Sequence, residues 1–181
     1  MLLAWNQKIN LVSRQDTGRI VQYHFIDSLL VVNEIPKNSA VGDLGSGAGL
    51  PGIPLKIVRD DIKLYLIESI QKKATFLDLV AERLNLTNVT IIPERAENIT
   101  GFKCDVVLIR LIGKIKKVVP IVIPLLNSAG KIIFYKSETV AEEITEANKV
   151  LARFKLRPTI KEILLPGNKI IRRFVILERL N

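Results

Sequence analysis

The segment with the clearest chemical meaning is a glycine-rich turn, Gly45-Ser46-Gly47-Ala48-Gly49, which follows a short predicted strand at residues 40–44. Glycines let the backbone bend sharply and let a ligand approach without meeting a Cβ atom. A helix that begins just beyond the turn offers free N–H groups and a positive dipole end to an anionic group. The turn therefore predicts a binding site for a nucleotide-like cofactor.

Glu68 is the predicted partner of this turn, since it ends the next apolar stretch, 21 residues after Gly47. A carboxylate at that point is suited to accept hydrogen bonds from two ribose hydroxyls. Dinucleotide sites carry G-x-G-x-x-G or G-x-G-x-x-A, whereas here Leu50 holds the last position and Gly49 comes one residue early. With Asp43 two residues before the first glycine, the spacing favours a cofactor without a pyrophosphate. A tight turn without a ligand and an NAD-dependent oxidoreductase are the alternatives.

Alternating elements must position these residues. The predicted strands are 40–44, 62–67, 89–92, 105–109, 131–135, 155–164 and 170–177, and the predicted helices are 17–33, 50–59, 70–84, 115–126 and 138–151. Helices between strands imply crossover connections, so the predicted fold class is α/β, a mainly parallel, doubly wound seven-stranded sheet with helices on both faces. A turn is predicted at 127–130, and Pro166-Gly167-Asn168 joins a final hairpin that adds an antiparallel strand at an edge. One domain over 1–181 is expected, with 1–39 as a short helical cap.

Composition and charge restrict the classes of function. The net charge is +9, and residues 111–181 carry fourteen basic against six acidic side chains. This excess predicts either a solvated basic surface or a face that binds an anionic polymer. One cysteine and one histidine leave no cysteine-based metal cage, so no metal is expected. No apolar run is long enough for a membrane span and the N-terminus lacks a basic leader, so we expect a cytoplasmic protein without a membrane partner.

Several blocks in one order resemble the RsmG/GidB-type 16S rRNA (guanine-N7) methyltransferases. The blocks are Trp5-Asn6-Gln7-Lys8-Ile9-Asn10-Leu11, His24-Phe25-Ile26-Asp27-Ser28-Leu29, residues 43–55, Glu68-Ser69, Lys72-Lys73, Phe76-Leu77, Arg95-Ala96-Glu97, Asp105-Val106-Val107 and Arg110. The resemblance covers nearly the whole chain. It implies a class I, Rossmann-like methyltransferase fold, S-adenosylmethionine as cofactor, and methylation of guanine N7 in the 530 loop of small-subunit rRNA.

The resemblance also implies roles for individual residues. Gly45 and Leu50 would line the cofactor, Ala96 and Glu97 would flank its adenine, and Arg110 would lie beside the reacting centre. The predicted cofactor-binding residues are Asp43, Gly45, Ser46, Gly47, Gly49, Leu50, Glu68, Ser69, Ala96, Glu97 and Arg110. The chain departs from the family in having Leu111 for a common alanine and Ser137 for a common glycine, and the longer helical N-terminal extension of the family is absent or trimmed.

Methylation at guanine N7 needs no general base, because N7 carries a lone pair and no proton. Positioning and electrostatics must then supply the rate, so no catalytic dyad is expected. Arg110 is the predicted positioning residue, since its planar fork can bond guanine O6 or a phosphate; a surface ion pair is the alternative. His24 and Asp27, three apart on the first helix, would brace the substrate wall or contact RNA.

Seven side chains, five of them lysine or arginine, form the predicted RNA site. The candidates are His24, Asp27, Lys72, Lys73, Lys136, Arg172 and Arg173. Each lysine or arginine alone is typical of a solvated surface, but together they fit phosphate contacts, which position RNA without reading its sequence. The expected partner is rRNA and the expected state a monomer. A methyltransferase for another RNA or a small molecule, and a non-enzymatic RNA-binding module, remain as alternatives.

Overall fold

The computed structural model of the chain describes residues 1–13, 18–136, 139–167 and 169–180. The strands are β1 (Ala40–Leu44), β2 (Lys63–Ile67), β3 (Val89–Ile92), β4 (Cys104–Arg110), β5 (Leu126–Lys136), β6 (Leu156–Leu164) and β7 (Ile171–Arg179). The helices are α1 (Leu2–Asn6), α2 (Asp27–Leu29), α3 (Gly52–Val58), α4 (Gln71–Arg83), α5 (Ile115–Val122) and α6 (Val140–Arg153). A π-helical segment, Val21–Ile26, leads into α2, and short 3₁₀ turns lie at Val32–Glu34, Ala96–Asn98 and Ile123–Leu125.

The seven strands form one sheet in the order β3-β2-β1-β4-β5-β7-β6. The pairs among the first five strands are parallel, and β7 is antiparallel to both β5 and β6. The mainly parallel α/β sheet with antiparallel pairing at one edge is thus confirmed, although the reversed strand β7 lies one position inside the edge strand β6. Since the chain proceeds outward from β1 on one side and from β4 on the other, the switch point lies between these two strands.

Two apolar cores, one on each face of the sheet, explain why the central strands are rich in consecutive apolar residues. In β4, Val107 and Ile109 pack into the core with α5 and α6, while Val106 and Leu108 pack into the core with α3 and α4. Alternate residues of a strand point to opposite faces, so a strand covered on both faces must be apolar throughout. Helices therefore cover both faces of the sheet, as predicted.

Three predicted elements differ from the observed ones in type or by more than two residues. Strand β5 begins at Leu126 instead of 131, because the pairing with β4 shifts register there and the predicted turn at 127–130 becomes an irregularity inside the strand. The helix predicted at 115–126 is α-helical only to Val122 and continues as a 3₁₀ turn. The helix predicted at 17–33 is broken into π-, α- and 3₁₀-helical pieces. The predicted helix starts at Thr17 and Glu138, and the predicted turn residue Asn168, lie outside the described residues, as does Ser137.

Candidate active site

The glycine turn lies at the carboxyl end of β1, at the switch point of the sheet. Gly45, Gly47 and Gly49 have φ values of +64°, +53° and +79°, a region that side chains other than glycine rarely adopt. The N–H groups of Gly45 and Ser46 both donate to the carbonyl of Ile67, at 2.8 and 3.1 Å. The end of β2 therefore holds the turn in place, and the glycines are required by the backbone.

Glu68 ties the turn to the start of α4. Its Oε2 accepts a hydrogen bond from the Gly47 N–H at 2.9 Å, and its Oε1 accepts one from the Ile70 N–H at 2.8 Å. The carboxylate is buried, yet it borders a cavity of about 230 Å³. Each carboxylate oxygen has a second lone pair, so the group retains acceptor capacity towards that cavity.

Asp43 lies beneath the turn. Its Oδ2 accepts a hydrogen bond from the Gly52 N–H at 2.9 Å, which joins β1 to the start of α3. Within the described residues its buried Oδ1 has no hydrogen-bond partner. Burial raises the pKa of Asp43 to about 7, against the opposing effects of the Gly52 hydrogen bond and the Arg110 charge. The structure places this predicted cofactor residue in support of the turn, away from the cavity walls.

Three neighbouring cavities that share lining residues lie at this end of the sheet. The Glu68 cavity is lined by Gly45, Glu68, Ser69, Ala96, Glu97 and Ile112, among others. The turn cavity, about 660 Å³, is lined by residues that include Asn10, Gly45, Ser46, Gly47, Leu50, Lys73, Arg110 and Leu111. The arginine cavity, about 450 Å³, is lined by residues that include Tyr23, His24, Asp27, Arg110, Leu111, Lys136, Arg172 and Arg173. These volumes lie near or within the range of small-molecule sites.

At Ser46 and Gly49, two predicted cofactor residues of the turn, the side-chain direction points into the protein. The Ser46 hydroxyl donates to the Asp43 carbonyl at 2.8 Å, so only its backbone side borders the turn cavity. A Cβ atom on Gly49 would lie 2.3 Å from the Ile53 side chain, on the side of α3. At Gly47, in contrast, a Cβ atom would meet only the Gly45 carbonyl, at 3.7 Å. Gly47 is therefore the glycine whose missing side chain leaves space for a ligand.

Arg110 forms an ion pair at the carboxyl end of β4 that is buried, and so it is not the predicted alternative of a surface ion pair. Its Nη2 lies 2.9 Å from Asp27 Oδ2, with the two side chains 11% and 5% exposed. The same nitrogen donates to the Tyr23 carbonyl at 2.9 Å and lies 3.2 Å from His24 Nδ1. Its other nitrogen, Nη1, is buried and has no hydrogen-bond partner among the described residues. The side chain is thus fixed on one edge and keeps an unused buried donor on the other.

The π-helical segment explains how His24 and Asp27 both reach Arg110. The Asp27 N–H donates to the carbonyl of Gln22, five residues back, as well as to His24. An α-helix would direct that N–H to the Tyr23 carbonyl, which here accepts from Arg110 instead. Insertions of this kind are frequent at functional sites. The first helix therefore contacts the end of β4, with both predicted side chains at the wall of the arginine cavity.

Three of the five lysines and arginines that are predicted to contact RNA form ion pairs with acidic side chains. Arg172 Nε lies 2.7 Å from Asp27 Oδ1, so one carboxylate holds two arginines. Lys136 and Arg173 pair with Glu143 and Glu162, at 2.7 and 2.6 Å. These three all line the arginine cavity, Lys73 lines the turn cavity, and Lys72 is exposed. Glu143 and Glu162, which reduce the positive charge, were not predicted as neighbours.

Sequence reasoning also missed the segment at residues 10–13, which lines the turn cavity. The side chain of Asn6, at the end of α1, accepts hydrogen bonds from the N–H groups of Leu11 and Val12, at 2.9 and 3.0 Å. Asn6 and Leu11 both lie in the first block of the family resemblance, which was the available signal. In the described parts of the chain, no three metal-ligating side chains come together and no helix is long and apolar enough to cross a membrane.

Two solved structures with the same fold are methyltransferases. TYW2 from M. jannaschii, solved with AdoMet, superposes with a TM-score of 0.69 at 18% identity, over 96% of this chain and 80% of that one. A SAM-dependent methyltransferase from Aquifex aeolicus gives a TM-score of 0.68 at 15% identity, over 92% of this chain and 96% of the other. At these identities the likeness shows the class I methyltransferase fold alone.

Sequence comparison identifies the family. Ribosomal RNA small subunit methyltransferase G of Sorangium cellulosum is 38% identical over 94% of this chain and 74% of its own length. The protein of the same name from Carboxydothermus hydrogenoformans is 37% identical over 99% of this chain and 80% of its own length. The sequence profile of GidB, described as rRNA small subunit methyltransferase G, matches residues 1–164. The chain therefore belongs to the GidB family of small-subunit rRNA methyltransferases.

Proposed function

We propose that this S-adenosylmethionine-dependent enzyme methylates N7 of a guanine in the 530 loop of 16S rRNA. The observation that carries the proposal is the junction of the turn cavity and the arginine cavity, which share His24, Arg110, Leu111 and Ile112. A cofactor in the first cavity and a base in the second would meet beside Arg110. The family membership excludes the oxidoreductase and the non-enzymatic RNA-binding module.

The cofactor side fits S-adenosylmethionine. The space at Gly47 admits a ligand close to the backbone, and the spare acceptor capacity of Glu68 suits two ribose hydroxyls. Ala96 and Glu97, which also line the Glu68 cavity, would flank the adenine. The cofactor supplies a methyl group on a positively charged sulfur. The chain holds its ribose and adenine, and so fixes where that methyl group lies.

On the substrate side, the protein is proposed to act by positioning the guanine. Guanine N7 needs no deprotonation, so the required feature is alignment of N7 with the methyl group. Arg110 Nη1, buried and unpaired, is suited to donate a hydrogen bond to guanine O6, next to N7 on the same edge of the base. Asp27 and His24 act through Arg110 by fixing its orientation. No proton leaves or enters the site in this step.

Arg172, Arg173 and Lys136 are the proposed phosphate contacts at the arginine cavity, with Lys72 and Lys73 on the cofactor side. Their acidic partners must then exchange places with RNA phosphates, since three of the five are paired. We further propose that the enzyme works as a cytoplasmic monomer of one domain, without a membrane partner. The N-terminal 39 residues would act as a cap on the site, since residues 10–13 line the turn cavity.

The test is methylation of small-subunit rRNA with S-adenosylmethionine labelled on its methyl group, mapped by cleavage at 7-methylguanine. Naked 16S rRNA, isolated subunits and tRNA are assayed in parallel, with Arg110→Ala as the inactive control. We expect label at one guanine of the 530 loop. Label confined to tRNA, or to another atom or loop of 16S rRNA, would contradict the proposal.

A further inference from the structure

We propose that Leu111 is a positioning residue that packs against the face of the target guanine, an inference that rests on the proposed function. Leu111 is 91% exposed, the highest value among the large apolar side chains that the structure describes, where Val21 follows at 59%. An apolar side chain so exposed gains nothing from folding. Its surface is available to a ligand.

The backbone of Leu111 is also strained. Its φ is +60°, in the left-handed region that is costly for a residue with a Cβ. Of the other described non-glycine residues with positive φ, three are asparagines, which tolerate this region, and Lys155 follows the end of α6, where it is common. Leu111 follows a strand, so neither explanation applies. Strain of this kind clusters at ligand-binding positions.

The position of Leu111 indicates which ligand its exposed side chain would contact. It follows Arg110 directly and lines both the turn cavity and the arginine cavity, where cofactor and base would meet. The next residue, Ile112, packs over the turn, since a Cβ atom on Gly45 would lie 2.2 Å from its Cδ1. The contacts of Arg110 and Ile112 therefore fix the backbone on both sides of Leu111. The fixed backbone places the exposed Leu111 side chain at the junction of the two cavities.

The occupant that fits this surface is a nucleobase. Arg110, Arg172 and Arg173 surround the arginine cavity with groups suited to O6 and phosphates, but none of these contacts covers the flat face of a base. A base extruded towards an active site loses its stacking neighbours, and leucine is one of the side chains that proteins place against unstacked bases. Leu111 would therefore supply the out-of-plane contact while Arg110 binds in the plane.

The experiment compares Leu111→Ala and Leu111→Met with Leu164→Ala, which truncates a leucine 58% exposed on β6. Leu111→Ala should raise the KM for rRNA about tenfold, the scale expected for losing one buried apolar side chain. Leu111→Met should stay within about threefold of the wild type because it keeps the apolar length. S-adenosylmethionine affinity, measured by calorimetry, should not change in any of the three, and Leu164→Ala should behave as the wild type.

Two further measurements identify the contact. RNA with an abasic residue at the target position should bind wild type and Leu111→Ala equally, whereas guanine-containing RNA should bind the variant more weakly. Leu111→Gly should match Leu111→Ala in KM without a lower melting temperature, because it relieves the backbone. An unchanged KM, an equal loss on abasic RNA, or a loss of stability or cofactor affinity would each overturn the inference. Wild type that does not methylate this guanine would contradict the proposed function instead.

Discussion

Arg110 and Asp27 form an ion pair of 2.9 Å in which neither side chain is more than 11% exposed. Arg172 binds the other oxygen of the same carboxylate. Breaking a buried pair leaves a charge without its partner, which costs more than the pair itself contributes. The residue proposed to position the substrate therefore also contributes to the stability of the folded enzyme.

Arg110→Ala should lower kcat/KM for rRNA at least about 100-fold, since it removes the group that orients guanine. It should also lower the free energy of unfolding by about 1–3 kcal/mol, because Asp27 keeps only Arg172. Turnover assays and urea denaturation check the two effects, and Arg83→Ala, which truncates an exposed arginine of α4, should change neither. Wild-type turnover in Arg110→Ala would remove the assigned role.

Glu68→Gln should weaken S-adenosylmethionine binding at least about 100-fold. Both carboxylate oxygens accept backbone N–H groups, and the amide turns one of them into a donor that faces a donor. The same conflict should lower the free energy of unfolding by about 1–3 kcal/mol. Calorimetry and urea denaturation measure these changes, with Glu82→Gln on α4 as the exposed control. Unchanged cofactor affinity would rule out Glu68 as the ribose contact.

Gly47→Ala should weaken cofactor binding at least about tenfold, and Gly47→Val should abolish it, since a side chain there extends into the open space beside the turn. Either change also introduces a Cβ at positive φ, worth about 1–2 kcal/mol of stability. Gly101→Ala is the matched control, because Gly101 has a φ of +93° and open space around it. It should lose stability but keep cofactor affinity, measured by calorimetry. Equal affinities for the two alanine variants would contradict the site.

Asp43 should make stability depend on pH. Burial raises its pKa from 3.8 to about 7 in the folded protein. Between these values the folded protein binds more protons than the unfolded chain, so this group makes the free energy of unfolding fall as pH rises from about 4 to about 7. Urea denaturation across this range, on wild type and Asp43→Asn, should show the difference between them declining with pH. A difference independent of pH would contradict the raised pKa.

The sequence predicts best those parts of the fold that depend on neighbouring residues. The bounds of β1 and β3 agree with the prediction, because each is a short, mainly apolar segment between residues that favour turns. The early start of β5 could not be foreseen, since it depends on the register of pairing with β4. The break of the first helix depends in the same way on Arg110, which lies in a distant strand.

For the candidate site, the sequence supplied the residues but not their partners. Glu68 was expected at the turn, and its hydrogen bond to Gly47 places it there. The shared carboxylate of Asp27, and the pairing of Lys136 with Glu143, join residues whose contact is fixed only by tertiary packing. The net charge of residues 111–181 therefore overestimates the positive charge at the site, because acidic side chains pair with several of the basic ones.

The position of β7 in the chain and in the sheet determines when the site is completed during synthesis. β7 is synthesised after β1 to β6, yet it pairs with β5 inside the sheet and carries Arg172 to Asp27. The strands that hold Gly47 and Glu68 leave the ribosome much earlier. The RNA site of a nascent chain therefore stays incomplete until β7 is synthesised, after all the residues that are proposed to bind the cofactor.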